Sequence, residues 1–225
     1  MKHLTPIIVL ASMLLAACGG AEALTAEDIL NNAAEATATI ETVEFEIARD
    51  GSPIVIDPEA NLAILGATGA YEAPDSVYAA VRVGAGTIIT EGEVLWIADG
   101  VFLRLPPLFP EFEPIEVGDT FNATRIFDPE QGVPAVLTDG LTDPTLVGEE
   151  EIDGIPTYHV TGTAEAETIT DIVGGGLETD QTVTVDLWID RGSFEVVRLL
   201  VTEDDEETWT LDFFNYGGDV EIPTP

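Results

Sequence analysis

Residues 182–201 read TVTVDLWIDRGSFEVVRLLV. Val183, Val185, Leu187 and Ile189 recur at every second position, with Thr184, Asp186 and Trp188 between them. A period of two is that of a β-strand with one face in the core. Asp190-Arg191-Gly192-Ser193 interrupts the pattern, and a second apolar run follows from Phe194 to Val201. Two strands this close in sequence pair as an antiparallel hairpin. Leu187 and Leu199 then share one apolar face, and Trp188 alternates onto the other.

The same period extends in both directions. Downstream, Thr208 to Phe214 places Trp209, Leu211 and Phe213 on one face. Upstream, strands at 145–151 and 157–164 flank the turn signal Asp153-Gly154. In the first half Val43, Phe45 and Ile47 alternate with Glu44, Glu46 and Ala48. Further strands are predicted at 62–65, 77–83, 87–89, 94–98 and 101–105. Turn signals separate them at Asp50-Gly51, Gly84 to Gly86, Glu91-Gly92 and Asp99-Gly100. Pro106, Pro107, Pro110 and Pro114 crowd one segment and predict an irregular loop. That loop carries Leu108, Phe109 and Phe112, packed on the rim or closing over a pocket as a lid.

Helical periodicity is confined to three places. From Leu24 to Ile40, Thr25 is a good N-cap and Asp28 completes a variant of the capping box. Ile29, Leu30, Ala33, Ala34, Ala36 and Ile40 follow at helical spacing, about four turns in all. Residues 127–141 predict one or two short helices, with Pro129 near a first turn and Gly140 as a stop. Residues 168–173 predict another, ending at Gly174-Gly175-Gly176. Strands that follow one another without crossover helices place the chain in the α+β class. About ten or eleven of them build one large antiparallel sheet, with three or four helices beside it.

The chain opens with a positive start, Met1-Lys2-His3, and an apolar stretch from Leu4 to Leu15. That stretch is too short to span a bilayer, which takes about 20 apolar residues, and it has the layout of a secretory signal peptide. Leu15-Ala16-Ala17-Cys18 resembles the bacterial lipobox. Residues 1–17 are therefore expected to be removed. Cys18 is expected to carry diacylglyceryl and N-acyl groups, palmitate among them, and 18–23 to be a short tether. Cys18 is the single cysteine, so no internal disulfide exists, and lipidation accounts for both its number and its position. Residues 24–225 form one domain, large enough for a single core.

Seven basic residues stand against 43 acidic ones, for a net charge of −36. Lys2 is the only lysine, a composition that fits a high-salt habitat. An acidic surface of this kind repels phosphate backbones and excludes nucleic acid as a partner. It also repels anionic headgroups, so contact with a membrane has to come through the lipid anchor.

Chemistry is sparse. Beyond His3 the chain has one histidine, His159, inside the strand pattern Thr157 to Val160, where it reads as an ordinary sheet residue. One histidine and no spare cysteine build neither a His/Cys metal site nor a nucleophilic triad. Gly174-Gly175-Gly176 lacks the Lys-Ser/Thr of a phosphate loop. Glu149-Glu150-Glu151 and Asp204-Asp205-Glu206-Glu207 lack the spacing of a calcium loop. No catalytic residue, metal or cofactor is expected, and the chain is read as a non-enzyme.

The order of segments carries a resemblance. A lipobox and the helix LTAEDILNNAAEA (24–36) precede a strand beginning VEFEI (43–47) and a meander. GIPTYHVTG (154–162), the hairpin at 182–201 and the closing TWTLDFFNYGGDVEIPTP (208–225) follow. The most specific parts are Asp186-Leu187-Trp188-Ile189-Asp190, Val196 to Arg198, and Tyr216-Gly217 before Ile222-Pro223. In this order they resemble the LppX/LprAFG family of bacterial lipoproteins. The resemblance implies a LolA-like fold, a curved and incompletely closed antiparallel sheet with helices across its concave side. It also implies a carrier that holds a lipid, glycolipid or lipoglycan between sheet and helices and helps move it through the cell envelope.

The inward residues of the strand patterns are then candidate cavity walls: Phe45, Ile47, Leu62, Ile64, Val81, Leu103, Val185, Leu187, Leu199 and Leu211. Arg104 and Arg125 flank the proline-rich segment and are the charged candidates for a headgroup. With so acidic a chain, a neutral lipid or glycolipid is the expected cargo. The expected setting is a monomer on the extracytoplasmic face of the membrane, with an envelope transporter as a further partner. The other reading of the same fold is an anchored sensor or scaffold that binds a protein.

Overall fold

A computed structural model describes residues 23–51, 54–57, 62–85, 88–106, 108–116, 123–128, 130–170, 172–173, 177, 179, 181–203 and 207–225. The side chains of 54–57, 62–64, 85 and 88 are outside that description.

Helix α1 (Ala26–Thr37) begins where the capping pattern places it. Thr25 has extended backbone, and its Oγ1 accepts from the Asp28 N–H at 3.1 Å. The Asp28 carboxylate accepts in return from the Thr25 N–H at 3.0 Å and from the Thr25 hydroxyl at 2.7 Å. Those bonds, the hydroxyl's first, hold the Asp28 carboxyl below its ordinary value. Thr25→Ala is expected to cost about 1 kcal/mol, read as a lower urea midpoint at unchanged slope. The helix buries Ala26, Ile29, Leu30, Ala33, Ala34 and Thr37. It is 12 residues long and stops before Ile40, shorter than the four turns expected. Thr37 and Thr39 turn their hydroxyls back onto the carbonyls of Ala33 and Ala36, and β-branched residues with such bonds favour an exit.

Among the described residues twelve strands follow: β1 (Thr42–Asp50), β2 (Ile54–Asp57), β3 (Leu62–Glu72), β4 (Ser76–Ala85), β5 (Ile88–Ile97), β6 (Gly100–Leu105), β7 (Phe109–Ile115), β8 (Thr142–Ile152), β9 (Ile155–Glu165), β10 (Thr182–Asp190), β11 (Val196–Thr202) and β12 (Thr208–Phe214). Eleven lie in the order β7-β6-β5-β4-β3-β1-β12-β11-β10-β9-β8, every neighbour antiparallel. β7 and β8 are the two ends of this order. β2 pairs with Leu62 to Ile64 of β3, beyond the point where β1 stops pairing at Gly66. Between β7 and β8 lie a 3₁₀ turn (Ala123–Phe127), a short helix α2 (Val133–Ala135) and a wide turn (Val136–Gly140); α3 (Ala166–Thr170) joins β9 to β10. No helix of the described residues is long and apolar enough to cross a membrane.

Two expectations need correction, and one strand was not expected. Glu91-Gly92 is not a turn but the middle of β5. A Cβ on Gly92 would sit 2.9 Å from Leu105 Cδ1, so the glycine admits a close neighbouring side chain inside a continuous strand. The proline-rich segment is not irregular throughout, since β7 runs through Pro110 and Pro114. As a terminal strand, β7 has one side with no ladder to serve, and missing N–H groups are tolerated there. β2 is a strand that carried no clear period. By contrast Asp153-Gly154 does turn between β8 and β9, with φ of 52° and 88°, the signs of a type I′ hairpin.

One apolar core joins the sheet to the helical segments. It includes Ile29, Leu30 and Ala33 of α1, Val133 of α2, Val136 and Leu137 of the following turn, and Ile169 of α3. From the strands come Val43, Phe45, Val160, Val185, Leu187, Leu199 and Leu211. Phe127 of the 3₁₀ turn lies among aromatic rings of three adjacent strands. It stacks on Tyr71 at 4.4 Å, meets Phe213 edge-on at 5.8 Å and lies 6.5 Å from Phe45.

Candidate functional site

The register fixes which side chains share the inner face. In the half built from β9 to β12, Val160, Leu187, Leu199 and Leu211 stand on one rung. All four have no accessible surface, nor does Val185. No water-sized space touches them, so this half of the face is sealed. Across β1, Ile47 stands opposite Leu211 on one side and Ala67 on the other. The face then continues through Ala67–Val81–Gly92, Gly69–Ala79–Val94–Leu103 and Tyr71–Val77–Trp96–Val101. Here burial loosens: Ile47, Ala67, Val94, Val101 and Leu103 are half-buried. Ala67, Ala79 and Gly92 also keep the side chains short. The inner face is thus one apolar surface, sealed in one half and partly open in the other.

The ten candidate wall residues divide accordingly. Phe45, Val81, Val185, Leu187, Leu199 and Leu211 are buried. Ile47 and Leu103 belong to the half-buried strip. Leu62 and Ile64 lie in β3, with side chains outside the described residues. Arg104 follows Leu103 and faces the other side of β6. It is paired there with Glu93, with its guanidinium 5.2 Å from the Phe112 ring. Arg125 is half-buried in the 3₁₀ turn. Cys18 lies outside the described residues.

Two clusters escaped the reading of the sequence. Arg49 continues the inward series Val43, Phe45, Ile47 and is buried at one end of the inner face. It bonds Glu203 Oε1 and Glu207 Oε2, each at 2.5 Å, and lies over the Trp209 ring at 5.0 Å. Trp209 Nε1 donates to Glu203 at 3.2 Å. The alternation of β1 alone would have placed this arginine inside.

The second cluster is on the outer face. His159 stands directly opposite Trp188, and the rings stack at 4.4 Å. Nδ1 lies 3.0 Å from Glu150 Oε1 and Nε2 lies 2.8 Å from Asp186 Oδ1. Trp188 Nε1 donates to Glu150 Oε2 at 2.9 Å. Trp188 therefore faces outward, as its alternation implies, yet is buried. No signal in one strand marks this cluster, because it needs the register of β8, β9 and β10 together. The Trp188 bond first, and then His159, hold the Glu150 carboxyl below its ordinary value. A depressed carboxyl stabilises the fold above its unfolded value and loses that effect as pH falls through the folded value. Glu150→Gln is accordingly expected to lower the urea midpoint at pH 7, with the gap closing as pH drops below about 4. Among the described residues no group of three or more His, Cys, Asp or Glu side chains is arranged to hold a metal ion.

A groove of about 300 Å³ lies between α1, the 136–140 turn and the start of β8, lined by Glu27, Leu30, Asn31, Leu137, Thr138, Leu141 and Pro144. It is separate from the half-buried strip.

The profile of the LppX_LprAFG lipoprotein family matches residues 25–222. The chain belongs to that family. Within the LppX_LprAFG family it is similar to lipoprotein LprA of Mycobacterium tuberculosis strain H37Rv, 27% identical over 108 residues. The match covers 47% of this chain, and the chain spans less than half the length of that relative, 44%. Two solved structures are similar in fold. LprF from Mycobacterium bovis superimposes with a TM-score of 0.71 at 20% identity, over 89% of this chain and 96% of that one. LppX from Mycobacterium tuberculosis gives 0.63 at 18%, over 88% and 98%. These likenesses show the coarser part of the implied fold, a large, open antiparallel sheet with few helices.

Proposed function

We propose that this protein is an envelope lipoprotein that holds an acyl chain of a lipid or glycolipid and helps carry it between membranes or envelope partners. In this reading the signal peptide ends at Ala17, Cys18 is acylated, residues 18–23 are the tether and 24–225 the binding domain. The observation that carries it is the inner face itself. Its apolar surface does not end where the helical packing ends but runs on through Ile47, Ala67, Val94, Val101 and Leu103. A half-buried apolar strip continuous with a core gains from any chain laid along it. Each CH₂ removed from water contributes about 0.8 kcal/mol, or about 12 kcal/mol gross for a chain of some fifteen. Leaving the bilayer costs a similar amount, so loading and release are nearly balanced. That balance suits a carrier better than a store.

The cargo site is thus moved from the sealed residues Val185, Leu187, Leu199 and Leu211 to the strip over β3 to β6. α1 and α2 cover the other end of the concave face. The protein acts by binding, not catalysis. A neutral headgroup is favoured, because the chain carries −36 and Arg104 is engaged with Glu93.

The test is solvent extraction of the purified acylated protein and mass spectrometry of what co-purifies, with Leu103→Trp and Val94→Trp as fillers of the strip. Near-stoichiometric lipid in the parent and its loss in the variants supports the carrier. Lipid-free protein that instead retains a defined envelope protein would support the anchored scaffold.

A further inference from the structure

The sheet has two ends, and one of them is greasy. Following the rungs, Thr142–Thr163, Thr163–Thr184, Thr184–Thr202, Thr202–Thr208 and Thr208–Asp50 all lie at one end of the strands from β8 to β1. The register of β3 to β7 adds Ala85–Ile88 and Leu105–Phe109 to the same end. There Leu108, in the turn before β7, is 71% exposed, Phe109 is 43% exposed and Ile89 of β5 is 62% exposed. These are three of the five large apolar side chains exposed among the described residues. The other two lie elsewhere, Val147 within terminal strand β8 and Phe214 at the opposite end of β12.

The start of α1 is at this end as well. Glu27, Leu30 and Asn31 border a groove with Leu141 and Pro144, at the first residues of β8, whereas the helix leads into β1 at the far end. Cys18 precedes the N-cap Thr25 by seven residues. Seven residues reach at most about 25 Å. An acyl anchor on Cys18 therefore lies within about 25 Å of Thr25, at the same end of the strands as the exposed apolar tips.

We infer that this end of the sheet, tipped by Ile89, Leu108 and Phe109, is a membrane-docking edge that dips into the interfacial region of a bilayer with neutral or zwitterionic headgroups. The inference rests on the anchored-lipoprotein reading. Single apolar tips bind a membrane weakly, and an anchor alone leaves the domain free to tumble. Together they hold one edge down and set the strands upright on the surface. Asp50, Glu91, Asp143, Glu165 and Glu207 lie toward the same end, so anionic headgroups oppose the docking. Leu103 and Leu105 run toward the docked edge along β6, which gives an acyl chain a path from bilayer to strip.

The test uses the acylated full-length protein in phosphatidylcholine vesicles whose acyl chains carry bromine, a contact quencher of tryptophan. Leu108→Trp is expected to be quenched at least twofold more than Phe214→Trp, which reports from the opposite end. Trp96, Trp188 and Trp209 are buried and give a common background. Replacing half the lipid by phosphatidylglycerol is expected to reduce the Leu108→Trp quenching. Equal quenching at both positions overturns the docking edge, and undiminished quenching on anionic vesicles overturns its headgroup preference. A dimer seen by sedimentation without vesicles, and abolished by Leu108→Glu, overturns it in favour of self-association. Failure of the reading beneath it is seen separately: unmodified Cys18 by mass spectrometry removes the anchor, whereas a lipid-free extract with quenching intact removes the cargo and leaves the edge standing.

Discussion

Arg49→Met is expected to destabilise the fold by about 3–5 kcal/mol, measured as the fall in urea unfolding free energy at constant slope. Arg49 and Glu203 are both deeply buried, with side-chain exposures of 3% and 5%. Methionine keeps most of the aliphatic volume but removes the charge that meets Glu203 and Glu207. The loss is then chiefly the cost of leaving a carboxylate in a place water scarcely reaches. Adding Glu203→Gln to Arg49→Met is expected to recover part of it, because the amide needs no counter-charge. A cost below about 1 kcal/mol, the scale of an exposed pair, would mean that this end of the inner face is wet.

Phe127→Ala is expected to cost a similar amount, about 3–5 kcal/mol. One ring here touches three strands through Tyr71, Phe213 and Phe45. It belongs to a 3₁₀ turn and not to a strand of the sheet. Removing it loses the buried area and leaves a void that the rigid strands cannot collapse into. Phe127→Leu, which keeps most of the volume, is expected to cost about 1 kcal/mol. Equal effects of the two substitutions would mean that the ring is not what holds the turn to the sheet.

Most of the sheet could be read from period two. β10, β11 and β12 were visible as strands with the correct inward residues, because Val185, Leu187, Leu199 and Leu211 alternate with polar neighbours. The capping box of α1 was equally plain, since Thr25 and Asp28 act within one turn. The errors share a cause, which is that local composition outvoted neighbours distant in sequence. Glu91-Gly92 looks like a turn until Leu105 is known to lie over the glycine. The prolines of 106–114 look like a loop until the segment is known to be terminal, where missing donors cost little. For the candidate site the limit is more basic. Alternation tells which face is apolar but not what fills the space above it. That is why sealed residues and half-buried ones entered the same list of wall candidates. Arg49 was within reach, two positions after Ile47 on the same face of β1. The His159 cluster was not, since Glu150, Asp186 and Trp188 meet it only through the pairing of three strands.

The chain's membership in a lipoprotein family leaves the interior as the deciding question, and the lipid content of the protein answers it most directly. Extraction of acylated protein purified from its native envelope, with quantitative mass spectrometry, is expected to find close to one lipid or glycolipid per chain. Filling the strip with Leu103→Trp is expected to cut that by tenfold or more while the urea midpoint stays near the parent's. A parent protein that leaves the membrane with no bound lipid, or a filled strip that retains its lipid in full, would contradict the account.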